Sequence, residues 1–348
     1  MLSEEEKILY SRQIILPDFG EEGQVKLKKA RVLVVGLGGL GTFSSLLLAE
    51  LGIGYLRLVD QDIIEVSNLH RQPLYTHSDL ERAKVEVAAE RLRGIHPSIV
   101  IDSHATHVNE ANADEILRDI DIVIDGLDNF ETRRVLNQVC LKKGIPFIFC
   151  GVSARSGNLT TFNLNRDSPC LSCIYHGVDD VDVESCDITG IHPALLPIIT
   201  GLQVYEAVEI IIGNKSNLNG SLLFVDLPQM TFDHISIRKN PTCPVCAHPR
   251  HHLPVSSDIN YRTLELCGED NYMIVPIIRK SSLDIPSLSS KIEKVYKLKL
   301  KGKLSITFFY DEKVLITLFK GGNALIRGMK DPSKVMSIWD KISQQFIE

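Results

Sequence analysis

Cys170-Leu171-Ser172-Cys173 and Cys243-Pro244-Val245-Cys246 are two C-x-x-C pairs separated by a long insertion. Two such pairs supply four thiolates, the ligand set of a tetrahedral structural zinc. A redox dithiol would instead be a single pair opening a helix, which neither pair evidently does. A second cluster is Gly36-Leu37-Gly38-Gly39-Leu40-Gly41. Glycines at the first, third and sixth positions permit a tight turn and bring backbone N–H groups close to a phosphate at a helix N-terminus. Residues 31–35 before it read as a strand and residues 42–51 after it as a helix. Asp60 ends the next strand, 24 positions beyond Gly36, where a carboxylate can bind ribose hydroxyls. Nucleotide binding follows, with NAD and ATP both open.

The residues after Asp60 separate the two. A dehydrogenase needs only apolar surface for adenine there, whereas this chain continues with Gln61, Asp62 and then Ser67-Asn68-Leu69-His70-Arg71-Gln72. Lys84 follows on a helix, and Asp128-Asn129 follow a strand. Asn68, Arg71 and Lys84 offer amide, guanidinium and ammonium donors suited to a triphosphate. Asp128 sits at the carboxyl end of its strand, where open α/β sheets bind ligands, and suits a magnesium ion.

The elements that must position these groups are legible in outline. Residues 1–30 read as helical and amphipathic, with Ile8, Leu9, Ile14 and Ile15 as apolar positions. From Arg31 to about Cys150, short β-branched runs alternate with helix-length segments, the pattern of βαβ units and a parallel sheet. Residues 151–250 continue with a strand at LTTFNL, a helix at residues 195–212 and a strand at SLLFVDL. Residues 247–258, with His248, His251 and His252, read as a solvated linker. Beyond them YMIVPII, LSITFFY, EKVLITLF and NALIRGM read as strands and residues 287–295 and 332–346 as helices, a small α+β domain at residues 259–348. With 348 residues the chain has length for two such domains.

Taken together, the sequence resembles the ubiquitin-activating-enzyme-like adenylyltransferases, the group containing MoeB and ThiF, over about residues 5–250. The resemblance rests on Tyr10-Ser11-Arg12-Gln13-Ile14, the glycine loop, Ser67–Gln72, Lys84, Asp128-Asn129 with Arg133 and Asn137, the cysteine pairs and Gly201-Leu202-Gln203. It implies a Rossmann-like, doubly wound, mostly parallel α/β sheet at residues 1–250, followed by the small C-terminal domain. It also implies ATP-dependent activation of a ubiquitin-like or sulfur-carrier protein ending in Gly-Gly. The carrier's carboxylate attacks the α-phosphate, leaving an acyl-adenylate and pyrophosphate. By that pattern Gly36, Gly38, Gly39 and Gly41 cradle phosphate, Asp60 binds ribose and Asp62 belongs to the same site. Ser67, Asn68, Leu69, His70, Arg71 and Lys84 line the phosphates, and Asp128, with Asn129 beside it, coordinates magnesium. Cys170, Cys173, Cys243 and Cys246 hold zinc. Arg12 matches an arginine finger from the neighbouring subunit, which implies a homodimer.

Cys186, 13 residues after Cys173, lies near where thioester- or persulfide-forming relatives carry a nucleophilic cysteine. Against that role, Asp179, Asp180, Asp182, Glu184 and Asp187 would raise its pKa, and residues 190–193 depart from the family's small, apolar run. Cys140, Cys150 and Cys267 are expected as buried small hydrophobes. Residues 259–348 show no Gly-Gly tail and no rhodanese-like cysteine loop, and the length leaves no room for the added domains of large ubiquitin-activating enzymes. A docking surface for the carrier or for a downstream conjugating enzyme is the expectation for this region, and a conjugating enzyme or a sulfurtransferase is the further partner expected for the chain. Two other classes stay open: the same fold activating a small molecule or a tRNA base, and a silent binding partner, which intact Arg12, Lys84 and Asp128 oppose. A NAD dehydrogenase lacks an evident His or Tyr proton donor. The formal charge of −6 argues against a general nucleic-acid binder. The opening residues lack a signal-peptide pattern and no apolar run has the length of a membrane span, so a soluble, cytoplasmic protein is expected.

Overall fold

The computed structural model describes residues 1–178, 189–247, 261–265, 270–276, 282–329 and 331–347. Eight strands form the first sheet: β1 (Arg31–Val35), β2 (Tyr55–Asp60), β3 (Val100–Ala105), β4 (Ile122–Asp125), β5 (Phe147–Ser153), β6 (Ser156–Phe162), β7 (Ser221–Asp226) and β8 (Thr231–Ser236). Their order is β3-β2-β1-β4-β5-β6-β7-β8. The first five are parallel, and β6 to β8 add antiparallel strands.

The central parallel strands β1, β4 and β5 are largely apolar on both faces because both are covered. Alternate residues serve alternate cores. On β1, Val32 and Val34 join one core and Leu33 and Val35 the other, and β5 divides likewise between Ile148 and Phe147. Helices Gly39–Glu50, Lys84–Ile95 and Leu195–Ile212 pack on the first face, and Phe130–Lys143 on the second. Contrary to the expectation that no apolar run has the length of a membrane span, Leu195–Ile212 is long and apolar enough to cross one by length and composition. Here it lies against Gly39–Glu50 and strands β4 to β6, burying Thr200, Gln203 and Glu206. Glu206 is satisfied inside the core by Thr161 Oγ1 at 2.9 Å, Asn217 N at 3.2 Å and the Ser216 hydroxyl.

Residues 1–30 are not one amphipathic helix. They break into Glu4–Leu9, Ser11–Ile14 and Gly20–Lys29. Pro17 cannot donate to an intrahelical ladder, and Gly20 adopts a left-handed φ of 61° at the start of the last helix.

The second sheet contains β9 (Tyr261–Glu265), β10 (Asn271–Pro276), β11 (Lys297–Lys301), β12 (Ser305–Phe309), β13 (Leu315–Phe319) and β14 (Ala324–Arg327). It is antiparallel, in the order β11-β12-β13-β14-β10-β9. Helices Ile285–Ile292 and Pro332–Phe346 cover one face, where Tyr272, Ile274, Phe308, Ile316 and Ile326 meet Trp339. The period-2 alternation sends Met273, Val275, Phe319 and Leu325 to the opposite face, and there they are buried in the core of the first sheet. Burying each such side chain contributes about 1.5–3 kcal/mol, so the sheet is seated rather than tethered.

The seat is the region around the carboxyl ends of β2 and β3. Gly321 N donates to Ala105 O at 3.3 Å, and Asn109 Nδ2 to Pro276 O at 3.0 Å. Glu86 Oε2 accepts from Lys303 N at 3.0 Å and Leu304 N at 3.1 Å. Lys299 pairs with Glu81, and Arg262 with Glu131.

Candidate functional site

In the sheet order the chain reverses direction between β1 and β4, the switch point at which open α/β sheets form a crevice. Gly36 leaves β1 with φ +85°, and a Cβ there would stand 2.5 Å from Gly126 O. Gly126 would meet Gly36 O at 2.4 Å, and Gly41 would meet the same oxygen at 1.7 Å. The loops after β1 and β4 therefore touch backbone to backbone, and these three positions admit glycine alone. Gly39 packs on Leu196, whereas a Cβ at Gly38 would meet only Gln72 Nε2, at 3.9 Å. The helix begins at Gly39, three residues earlier than expected from sequence, and Gly38 caps it without a side-chain hydrogen bond. Its first N–H groups and the positive end of the helix dipole face that open side.

Asp60 ends β2 and already does structural work. Its Oδ2 accepts from Leu37 N at 2.6 Å and its Oδ1 from Asp62 N at 2.7 Å. Burial pushes its carboxyl up to about 6, against the pull of Lys84. Lys84 is buried at the first turn of Lys84–Ile95, with Nζ 3.0 Å from Asp62 Oδ2. Burial opposes the Lys84 ammonium, but Asp62, Asp60 and Asp128 together hold its pKa above the ordinary lysine value. Asp128 is exposed, and Asn129 Nδ2 reaches its Oδ1 at 3.3 Å. Asn129 also caps Phe130–Lys143, accepting from Thr132 N at 3.0 Å. The glycine loop, Asp60, Asp62, Lys84 and Asp128 thus surround one crevice at the ends of β1, β2 and β4.

The remaining expected residues divide. Arg71 Nη1 donates to Ser67 O at 2.6 Å, and the buried Asn68 accepts from Glu65 N at 3.2 Å, so both shape the turn at residues 65–71. Ser67 and His70 are exposed, and Leu69 packs on the core. Arg12 is not brought to this crevice within the chain. Its neighbour Gln13 donates to Leu51 O at 2.9 Å, at the far end of Gly39–Glu50, about 18 Å along the helix from the glycine loop. Cys186 lies outside the described residues, as do Cys267, His248, His251 and His252.

Four further motif residues shape the crevice and its support. Gln72 is buried beside Gly38, and its Oε1 has no partner among the described residues. Arg133 supports the loop after β4 from beneath, donating to Asp125 Oδ2 at 2.8 Å and to the carbonyls of Leu127 and Cys150 at 2.6 and 2.7 Å. Gln203 braces the same strand ends through Asp125 O at 2.9 Å and Ile148 O at 3.1 Å. Asn137 holds Leu171 N at 3.0 Å, at the first cysteine pair. Their signal in the sequence is membership of the motifs that carry the resemblance; the partners that give each its role are distant in sequence.

The four cysteines of the two pairs converge, their sulfurs within 4.8 Å of one another. Three of the sulfur–sulfur separations are 3.5, 3.7 and 3.9 Å. A tetrahedral zinc with Zn–S of about 2.3 Å spaces its sulfurs about 3.8 Å apart, so the cluster fits that ion and excludes a disulfide. Burial pushes the Cys170 thiol up to about 12, and its neighbours add to the rise. Four thiolates could share this site only around a cation. Cys140 and Cys150 are fully buried, as expected, and burial raises both thiols.

A family model described as ThiF family matches residues 10–245. Over 238 residues the chain is 38% identical to "SAMP-activating enzyme E1" of Haloferax volcanii, covering 68% of this chain and 87% of that protein. It is 32% identical over 337 residues to "Sulfur carrier protein ThiS adenylyltransferase" of Bacillus subtilis, covering 95% of this chain and 98% of that one. "Adenylyltransferase and sulfurtransferase MOCS3" of Culex quinquefasciatus is 39% identical over 248 residues, 71% of this chain, and the chain spans 56% of its length. Among solved structures, E. coli MccB superposes with a TM-score of 0.62 at 22% identity, over 70% of this chain and 73% of that one, a likeness of fold.

Proposed function

The chain belongs to the ThiF family and is of the ThiF/MoeB adenylyltransferase type, and from that premise we propose that it uses ATP to activate the C-terminal glycine of a ubiquitin-like or sulfur-carrier protein. A carboxylate oxygen of the carrier attacks the α-phosphorus, the bond to the pyrophosphate oxygen breaks, and acyl-adenylate and pyrophosphate result. The convergence of the glycine loop, Asp60, Lys84 and Asp128 at the carboxyl ends of three strands carries this reading.

Such a displacement asks for positioning and for neutralisation of spread negative charge. The N–H groups at the start of Gly39–Glu50 take phosphate oxygens, with Gly36 and Gly41 letting the loop approach. Asp60, with Asp62 beside it, takes ribose hydroxyls with its remaining lone pairs while gripping Leu37 N. Lys84 and Arg71 face the departing pyrophosphate, Arg71 leaving Ser67 O to do so. The amide of Asn68, the flanking Ser67, Leu69 and His70, and Asn129 complete the lining. Asp128 would hold magnesium, which screens the phosphate charge when bound. The four clustered cysteines would hold a structural zinc. Arg12, at the far end of Gly39–Glu50 from its own loop, serves the site of a second copy in a homodimer. Cys186 is the thiol that would accept the acyl group, with release of AMP, in a later step.

The test is intact-mass analysis of candidate carriers ending in Gly-Gly after incubation with the protein, ATP and magnesium. A carrier that gains one adenylyl group supports the reading. ATP consumption without any carrier contradicts it.

A further inference from the structure

One cation of the second sheet reaches the crevice of the first. Arg262 on β9 forms an ion pair with Glu131, in the first turn of Phe130–Lys143, three residues beyond Asp128. On its own sheet Arg262 stands opposite Val275, beside Pro276, whose carbonyl accepts from Asn109 in the loop after β3; the same loop carries His107. Burial and then Arg262 press that imidazole down to about 4, with Asp62 pulling the other way. Arg262 therefore spans the space between the loop after β3 and the start of Phe130–Lys143.

Strand order says what that space is. The loops bearing His107 and Glu131 follow β3 and β4, and between them in the sheet stand β2 and β1. Neighbouring strands are about 4.8 Å apart, so the two loops bracket roughly 14 Å of crevice. Phosphates at the loop after β1 and ribose at Asp60 on β2 direct the base of a nucleotide toward the β3 side. There the second sheet is fastened through Gly321 to Ala105 and through Pro276 to Asn109. The Arg262 side chain is 55% exposed despite its ion pair, so its guanidinium can exchange one partner for another.

We propose that Arg262 is a nucleotide-binding residue: its planar guanidinium packs on the adenine of bound ATP and closes the base end of the crevice, so that the C-terminal sheet takes part in ATP recognition. This rests on the adenylyltransferase reading above. A planar cation over an aromatic face is suited to that contact.

The experiment is calorimetric titration of the full chain, without carrier, using magnesium-ATP and, separately, inorganic tripolyphosphate, which has the charge but no base. Arg262→Ala is expected to weaken ATP binding about 5- to 30-fold while leaving tripolyphosphate binding and the melting temperature unchanged. Arg262→Lys, which keeps the charge without the plane, is expected to fall between. Unchanged ATP affinity in Arg262→Ala, or equal losses for ATP and tripolyphosphate, would overturn the proposal and leave the adenylyltransferase reading standing. A wild-type protein that binds no ATP would overturn both.

Discussion

Replacing Lys84 by Met removes the charge and keeps most of the buried stem, which isolates the electrostatics of the crevice. At 3.0 Å from Asp62 Oδ2 the attraction is about 5 kcal/mol at an effective dielectric of 20. Desolvation of the buried ammonium offsets part of this. Asp62 is 39% exposed, so solvent screens a further part. About 2–3 kcal/mol remains, or a melting-temperature loss of about 5 °C for a unit of this size. The loss must depend on pH. Asp60 titrates at about 6 when folded, above its ordinary value, so its ionisation disfavours the folded state as pH rises through 6. Without Lys84 the folded value rises further, and the penalty at pH 7–8 grows. The gap between wild type and Lys84→Met should therefore be widest at pH 7–8 and shrink toward pH 4–5, where Asp60 is protonated in both. Carrier-dependent ATP–pyrophosphate exchange should fall about 10²- to 10³-fold, the cost of losing one preorganised charge partner. Scanning calorimetry of both proteins from pH 4.5 to 8 tests the first part. A gap that is constant across that range would refute the argument.

Other consequences follow from the same geometry. Removal of the proposed zinc by a strong chelator, verified by metal analysis, should lower the melting temperature by several degrees, because the cluster ties residues 170–173 to residues 243–246. No change would count against a structural ion. Arg12→Ala and Asp128→Ala should each be inactive in exchange, yet an equal mixture should recover about one quarter of wild-type activity, since in the proposed homodimer each mixed pair carries one intact site. A mixture that stays inactive would place Arg12 outside a shared site. Asp128→Ala should melt within about 1 °C of wild type, because the residue is exposed, and a large drop in a thermal melt would contradict that.

The parallel sheet and its loop were legible because their signals are local. Residues 31–41 pass from an apolar run into a glycine loop, and the alternation that splits Val32 from Leu33 follows from the run itself. The cysteine spacing likewise named its cluster before the sulfurs were seen together. What could not be read depends on partners distant in sequence. Glu86 lies in the first turn of a helix, an ordinary place for a surface acid, yet it holds the backbone of residues 303 and 304. Met273 and Phe319 alternate properly in their strands, but the pattern does not say that their face meets the first sheet. Gln203 and Glu206 sit in an apolar helix, where only the tertiary fold shows that buried polar groups brace β4 and the loop at residues 216–218. The break in residues 1–30 has a local signal at Pro17, which the apolar periodicity of the flanking residues masks.

The central claim is that this crevice makes an acyl-adenylate on a protein carrier. ATP–pyrophosphate exchange, measured with a panel of small carriers ending in Gly-Gly, tests it most directly. Exchange is predicted with at least one carrier, to vanish when that carrier's terminal glycine is removed, and to be lost in Asp128→Ala. Exchange that proceeds equally without any carrier, or that survives loss of the terminal glycine, would contradict the account.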